Sequence, residues 1–187
     1  MFGVLGNKPL SMKKSALLIL VALSFFACKK ETEPPRTRIV VGNLKFTINP
    51  SIQPPFTYYL PINGVFIGAL AQLEAEHIDT AEIKNIRPSR ATLTALFGNG
   101  NLDFIQAASI RLCQLGDNVE NCGQEVFYRD PTPFDIGAEL ELGGSAVKDV
   151  RDYVLQKQIN VQVKLESLRD VPQGTFEVVV EMEFEVR

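Results

Sequence analysis

The last stretch of the chain, Phe176 to Val186, reads FEVVVEMEFEV. Its apolar residues Phe176, Val178, Val180, Met182, Phe184 and Val186 fall on every second position. A two-residue period sends successive side chains to opposite faces, so this segment buries one side only as a β-strand. The same grammar recurs upstream. Leu44, Phe46 and Ile48 alternate with Lys45 and Thr47, and Ile136, Ala138, Leu140 and Leu142 with Gly137, Glu139 and Glu141. Ile159, Val161, Val163 and Leu165 alternate with Asn160, Gln162 and Lys164, and Ile83 and ATLTAL at 91–96 continue the theme. Strands dry on one side and wet on the other belong to antiparallel sheets. Two turn signals punctuate them: FGNGN at 97–101 reads as a hairpin, and VPQG at 171–174 joins the last two strands.

Roughly seven to nine strands follow from this reading, enough for two packed sheets. Two segments have a helical period instead. FIGALAQLEAEH at 66–77 places Phe66, Ala69, Leu70 and Leu73 on one face. SAVKDVRDYVLQ at 145–156 opens on a capping Ser145 and aligns Val147, Val150 and Val154, with Leu155 beside them. The expected fold is mainly β, an antiparallel β-sandwich with two short helices.

The N-terminal region follows a different logic. Met12 to Lys30 reads MKKSALLILVALSFFACKK: a charged head at Lys13 and Lys14, an apolar run from Ala16 to Ala27, then Cys28. A helix over that run rises about 18 Å, against roughly 30 Å of bilayer hydrocarbon, so it reads as an export signal and not as a span. Residues 1–11 have neither a charged head nor a continuous apolar run, and Met12 makes the better start. Phe25-Phe26-Ala27-Cys28 resembles the lipobox of bacterial lipoproteins, with Phe25 and Phe26 standing where Leu and a small residue are usual. That resemblance implies that Cys28 becomes the first mature residue and carries diacylglycerol and a further acyl chain such as palmitate. It also implies a cell-envelope address. Lys29 stands in the second mature position, where lipoprotein sorting in some Gram-negative bacteria reads Asp as an inner-membrane signal. The outer membrane, on its periplasmic or its external side, is the implied location. The chain then divides into a signal peptide at 1–27, a lipidated cysteine and tether at 28–37, and a β-domain at 38–187. The tether KKETEPPRT is charged, bears prolines and has almost nothing to bury.

The whole chain carries 19 basic and 22 acidic side chains, and loss of Lys8, Lys13 and Lys14 with the signal widens the deficit. A net-negative domain without a basic cluster argues against nucleic acid and against anionic headgroups, so attachment to the membrane falls to acyl chains. Of three cysteines, Cys113 and Cys122 bracket the polar loop QLGDNVEN. In an oxidising compartment a disulfide suits them better than two free thiols, and a zinc clip would need two further soft ligands.

Catalytic signals are sparse. The single His77 lies beside Glu74 and Glu76 with no nucleophile motif, and reads as a surface or capping residue. No serine-hydrolase elbow, zinc-protease motif or phosphate-cradling glycine loop occurs. Asp117, Glu120 and Glu125 in GDNVENCGQE offer oxygen ligands for Ca²⁺, but the spacing fits no EF-hand, and loop closure by the cysteines explains the composition as well. Glu181, Glu183 and Glu185 read as a solvated row. Phe56, Tyr58 and Tyr59, with Phe127, Tyr128 and Phe134, are aromatic clusters of the kind sugar and peptide binders display, though most are expected to be core. No catalytic residue, metal or cofactor is assigned. The expected function is a non-catalytic binding or structural module with a glycan or envelope-protein partner. The alternative is a polysaccharide hydrolase using paired carboxylates.

Overall fold

The computed structural model describes residues 34–96, 100–117 and 122–187. The signal region, Cys28 and the tether up to residue 33 lie outside them, as do the centres of both the 97–101 turn and the loop between the cysteines.

Eight strands form: β1 (Thr37–Ile48), β2 (Tyr58–Phe66), β3 (Ile86–Leu96), β4 (Ala107–Cys113), β5 (Gln124–Arg129), β6 (Glu139–Gly144), β7 (Gln158–Glu166) and β8 (Phe176–Val186). They make one antiparallel sheet in the order β1-β8-β3-β6-β5-β4-β7-β2, and its two edge strands, β1 and β2, approach each other. The expected sandwich is therefore corrected to a nearly closed barrel. The reason is physical: alternation says that one face of each strand is buried. It does not say whether those faces meet across two sheets or across the inside of one curled sheet. Bulges do the curling, with register shifts at Val41/Leu44, Ile62/Val65, Pro88/Arg90 and Ile110/Arg111.

Side chains fill the barrel. Ile39, Leu93, Ile110, Phe127, Val161 and Phe184 are fully buried, and Phe127 meets Phe184 edge-on with ring centroids 5.5 Å apart. That contact joins β5 to β8 although two strands separate them in the sheet.

The two helices are shorter than expected. α1 (Ala69–Ala75) buries Ala69 and Leu73, while Phe66 belongs to the end of β2. It stops at His77, whose φ of 57° puts it in the left-handed region. The His77 and Ile78 amides return to the carbonyls of Glu74 and Leu73, closing the helix end. α2 (Arg151–Val154) is a single turn. Val150 and Val154 are buried as the stripe predicts, but Ser145 does not cap it and Val147 is 91% exposed. Val150 is the N-cap and lends no side-chain bond; Asp149, one residue ahead of it, accepts from the amides of Arg151 and Ile86, each at 3.0 Å.

α1 also guards the seam of the barrel. The Gln72 side chain accepts from the Val40 amide at 3.1 Å and donates to the Val40 carbonyl at 3.0 Å, on the edge of β1 that β8 does not pair.

Because every neighbouring pair is antiparallel, strands alternate in sense around the barrel. The β1–β2, β3–β4, β5–β6 and β7–β8 connections therefore share one end, here the far end. The β2–β3, β4–β5 and β6–β7 connections share the near end with the start of β1 and the close of β8. At the near end the Arg36 amide donates to the Val186 carbonyl, and the Arg36 guanidinium pairs with Glu82, so the chain is ordered before the expected boundary at residue 38.

Candidate functional site

The far end is where four loops converge: residues 49–57, 100–106, 130–138 and 167–175. The segment at 171–174 joins the last two strands as expected, but the hairpin expected at 97–101 does not form, because β3 does not pair with β4. The β3–β4 and β7–β8 loops cross between non-adjacent strands, which lets them pack on the loop that joins the neighbours β5 and β6.

Asp103 organises two of them. Its Oδ1 accepts from the amides of Ile136 at 2.5 Å and Gly137 at 2.9 Å, its Oδ2 from the Asn101 side chain at 2.7 Å, and its own amide donates to Asn101 Oδ1 at 2.6 Å. These donors, the Gly137 amide first and the Asn101 amide group next, hold the Asp103 carboxyl below its ordinary value of 3.8. The Leu102 side chain, fully buried, pins the same loop into the barrel mouth.

Arg169 brings in the third loop. It donates from Nη1 to the Pro133 carbonyl at 2.6 Å and from Nη2 to the Thr132 carbonyl at 2.5 Å, and its own amide donates to the Phe104 carbonyl at 2.7 Å. The guanidinium lies over Phe134, 4.6 Å from the ring centroid, yet that ring remains 80% exposed. Phe56, in the 49–57 loop, is exposed as well, and Tyr59, outward at the start of β2, has Lys164 5.9 Å from its ring centroid. The Tyr58 hydroxyl accepts from the Gln53 amide at 2.8 Å and steadies the first loop.

Between these parts lies a shallow cleft of about 220 Å³, lined by Asn101, Asp103, Asp170, Val171, Gln173 and Phe176 among others. The four loops carry Asp103, Asp130, Asp135 and Asp170, and Arg169 is their one basic residue. An acidic rim with exposed rings is suited to a neutral polyhydroxyl ligand or a basic peptide: rings stack on apolar faces and carboxylates accept from hydroxyl or ammonium donors.

Paired-acid hydrolysis asks for a carboxyl whose pKa is raised, so that it arrives protonated. Asp103 and Asp170 line the same cleft, but Asp103 is shifted the other way, and Asp170 accepts from the Val171 amide at 2.7 Å. Both act as acceptors that shape the loops.

The other sequence candidates lie elsewhere. Cys113 closes β4 and Cys122 precedes β5, with Cα atoms 5.0 Å apart at disulfide distance, which staples the near end of the β4–β5 hairpin. Asp117 accepts from the Gln114 amide at 2.8 Å, and among the described residues no cluster of three His, Cys, Asp or Glu side chains could hold a metal. The row of glutamates on β8 is only in part solvated. Glu181 is exposed, but Glu183 is buried between Arg38 at 3.2 Å and Arg90 at 3.1 Å, and Glu185 pairs with Arg187 at 2.7 Å. The aromatic expectation also needs correcting. Phe127 is core and Tyr58 packs against it, but Phe56, Tyr59, Tyr128 and Phe134 are exposed, because they sit in loops or on the outward beat of their strands. Asp103 and Arg169 were not singled out from the sequence. Asn101-Leu102-Asp103 has the local look of an Asx turn, whereas nothing near Arg169 signals its partners.

No protein-family model matches the chain, and no curated protein matches it. Among the described residues no helix is long and apolar enough to cross a membrane.

Proposed function

We propose that this chain is a lipoprotein of the cell envelope, held at the outer membrane by acyl groups on Cys28, whose barrel binds a glycan or an envelope-protein partner with the loops of its far end. The observation that carries the binding half is the placement of the exposed rings. Phe56 and Phe134 stand on the end opposite the one where the chain enters β1, so a domain tethered through its N-terminus holds them away from the anchor. The role is non-catalytic: the cleft carboxylate with a shifted pKa is stabilised in its ionised form by loop amides, and so serves as an acceptor.

The two halves are tested separately. Metabolic labelling with palmitate should mark the wild-type chain and not Cys28→Ser, and that variant should leave the membrane fraction. Equal membrane recovery of the two would sink the anchor. For the binding half, co-sedimentation with purified peptidoglycan and with isolated envelope polysaccharide should weaken about tenfold in Phe134→Ala, a loss of roughly 1.4 kcal/mol. Release of reducing ends from either polymer by the wild-type chain would favour the hydrolase instead.

A further inference from the structure

We infer that the near end of the barrel is a phospholipid-facing surface, with Phe66 and Leu70 entering the interfacial layer. The inference rests on the lipid-anchor reading above and adds an orientation to it.

Phe66 is the last residue of β2 and is 61% exposed. Its ring lies over Gly68, where a Cβ would stand 3.4 Å from the ring edge. Leu70, one turn into the near-end connection, is 48% exposed at the margin of the α1 face that buries Ala69 and Leu73. Together with Ala69, Ala71, Glu74 and Lys157 they line a groove of about 330 Å³. Val147 and Leu115 are exposed in the other two connections of the same end. The barrel interior is filled without any of these side chains, so their exposure is not a by-product of core packing.

Two things on the molecule point to lipid as the occupant. The chain preceding Pro34 departs from this end, and Cys28 is only six residues upstream of it, a reach of about 20 Å fully extended. The whole near end therefore lies within a short leash of any bilayer that holds Cys28. The groove's chemistry fits as well: a phenyl ring and a leucine flanked by one ammonium, Lys157, and one carboxylate, Glu74, match the apolar edge and paired charges of a zwitterionic headgroup layer. Affinity need not be high, since the anchor already supplies a large local concentration.

The chain contains no Trp, so one introduced indole is a clean reporter. Full-length lipidated Phe66→Trp, Leu70→Trp and Phe134→Trp would each be placed in phosphatidylcholine vesicles with brominated acyl chains. Quenching of the first two by about half, with a blue-shifted emission, is expected for a residue about 5–10 Å into the interface, and no quenching of the third. All three sites are exposed, which keeps the variants foldable, and two near-end positions guard against one failing. Vesicle-bound protein with positions 66 and 70 as unquenched as 134 overturns the inference and leaves the anchor standing. Equal quenching of all three overturns it too. Cys28→Ser protein that stays on the vesicles removes the anchor, and the orientation with it.

Discussion

The Arg169 guanidinium covers one face of the Phe134 ring at 4.6 Å while its Nη1 holds the neighbouring Pro133 carbonyl at 2.6 Å. One side chain from the β7–β8 connection thus fixes both the backbone and the exposed ring of the β5–β6 connection. In the binding role proposed above, contact through that ring would require no ordering step.

Removing this clamp should cost more than an ordinary surface change. Arg169→Ala leaves the Thr132 and Pro133 carbonyls without their charged donor. A loss of about 2–3 kcal/mol in urea denaturation is expected. Amide exchange over 130–138 should accelerate while β1 and β8 stay protected.

Asp103 gives the far end an acid sensitivity with a defined sign. Its carboxyl titrates lower in the folded chain than its ordinary 3.8, because the Gly137 amide, Asn101 and the Ile136 amide bond the ionised form. A lowered folded value means the contribution is complete above the unfolded value and vanishes as pH drops through the folded one. Asp103→Asn should therefore be less stable than wild type at pH 7, with the gap closing below pH 3.8. Chemical denaturation of both chains at a series of pH values reads it.

The near-end staple is testable by reduction. Cys113 and Cys122 are nine positions apart, and closing so short a loop stabilises by roughly 2.5–3 kcal/mol in the chain-entropy picture. Dithiothreitol should lower the urea midpoint of wild type and leave that of Cys113→Ser/Cys122→Ser unchanged. Equal midpoints for wild type with and without reductant would argue against the bond.

Adjacent glycines at the end of β6 should behave in opposite ways. A Cβ on Gly144 would stand 2.1 Å from the Pro88 carbonyl oxygen, where the backbones of β6 and β3 nearly touch, whereas one on Gly143 meets only the Tyr128 carbonyl at 3.9 Å. Gly144→Ala should cost about 3 kcal/mol or abolish soluble expression, and Gly143→Ala less than about 1 kcal/mol. Comparable thermal midpoints for the two variants would contradict the close approach.

How much of this was written in the residues depends on how far each interaction reaches along the chain. The strands of β7 and β8 are local facts, since Ile159 to Leu165 and Val178 to Val186 alternate whatever their partners. Strand order is not local: nothing in FGNGN says that β3 will leave it for β8 and β6 instead of turning back on β4. The second helix failed for a similar reason. Val150 and Val154 are buried as a helical stripe requires, but Asp149 spends its carboxylate on the distant Ile86 amide as well as on the first turn, and only Arg151–Val154 stays helical. Glu183 shows the same limit, reading as one of three wet acids until Arg38 and Arg90 arrive from strands on either side. At the far end the exposed rings were visible as clusters, but Arg169 lies 35 positions from Phe134.

The Gln72 side chain, holding the backbone of residue 40, has a consequence for crowding. Copies confined to a plane collide far more often than copies in bulk, and an unsatisfied strand margin is where colliding β-proteins zip into fibres. A carboxamide posing as the missing neighbour occupies one rung of that margin from within the molecule, so dense populations can stay separate without the barrel having to seal completely.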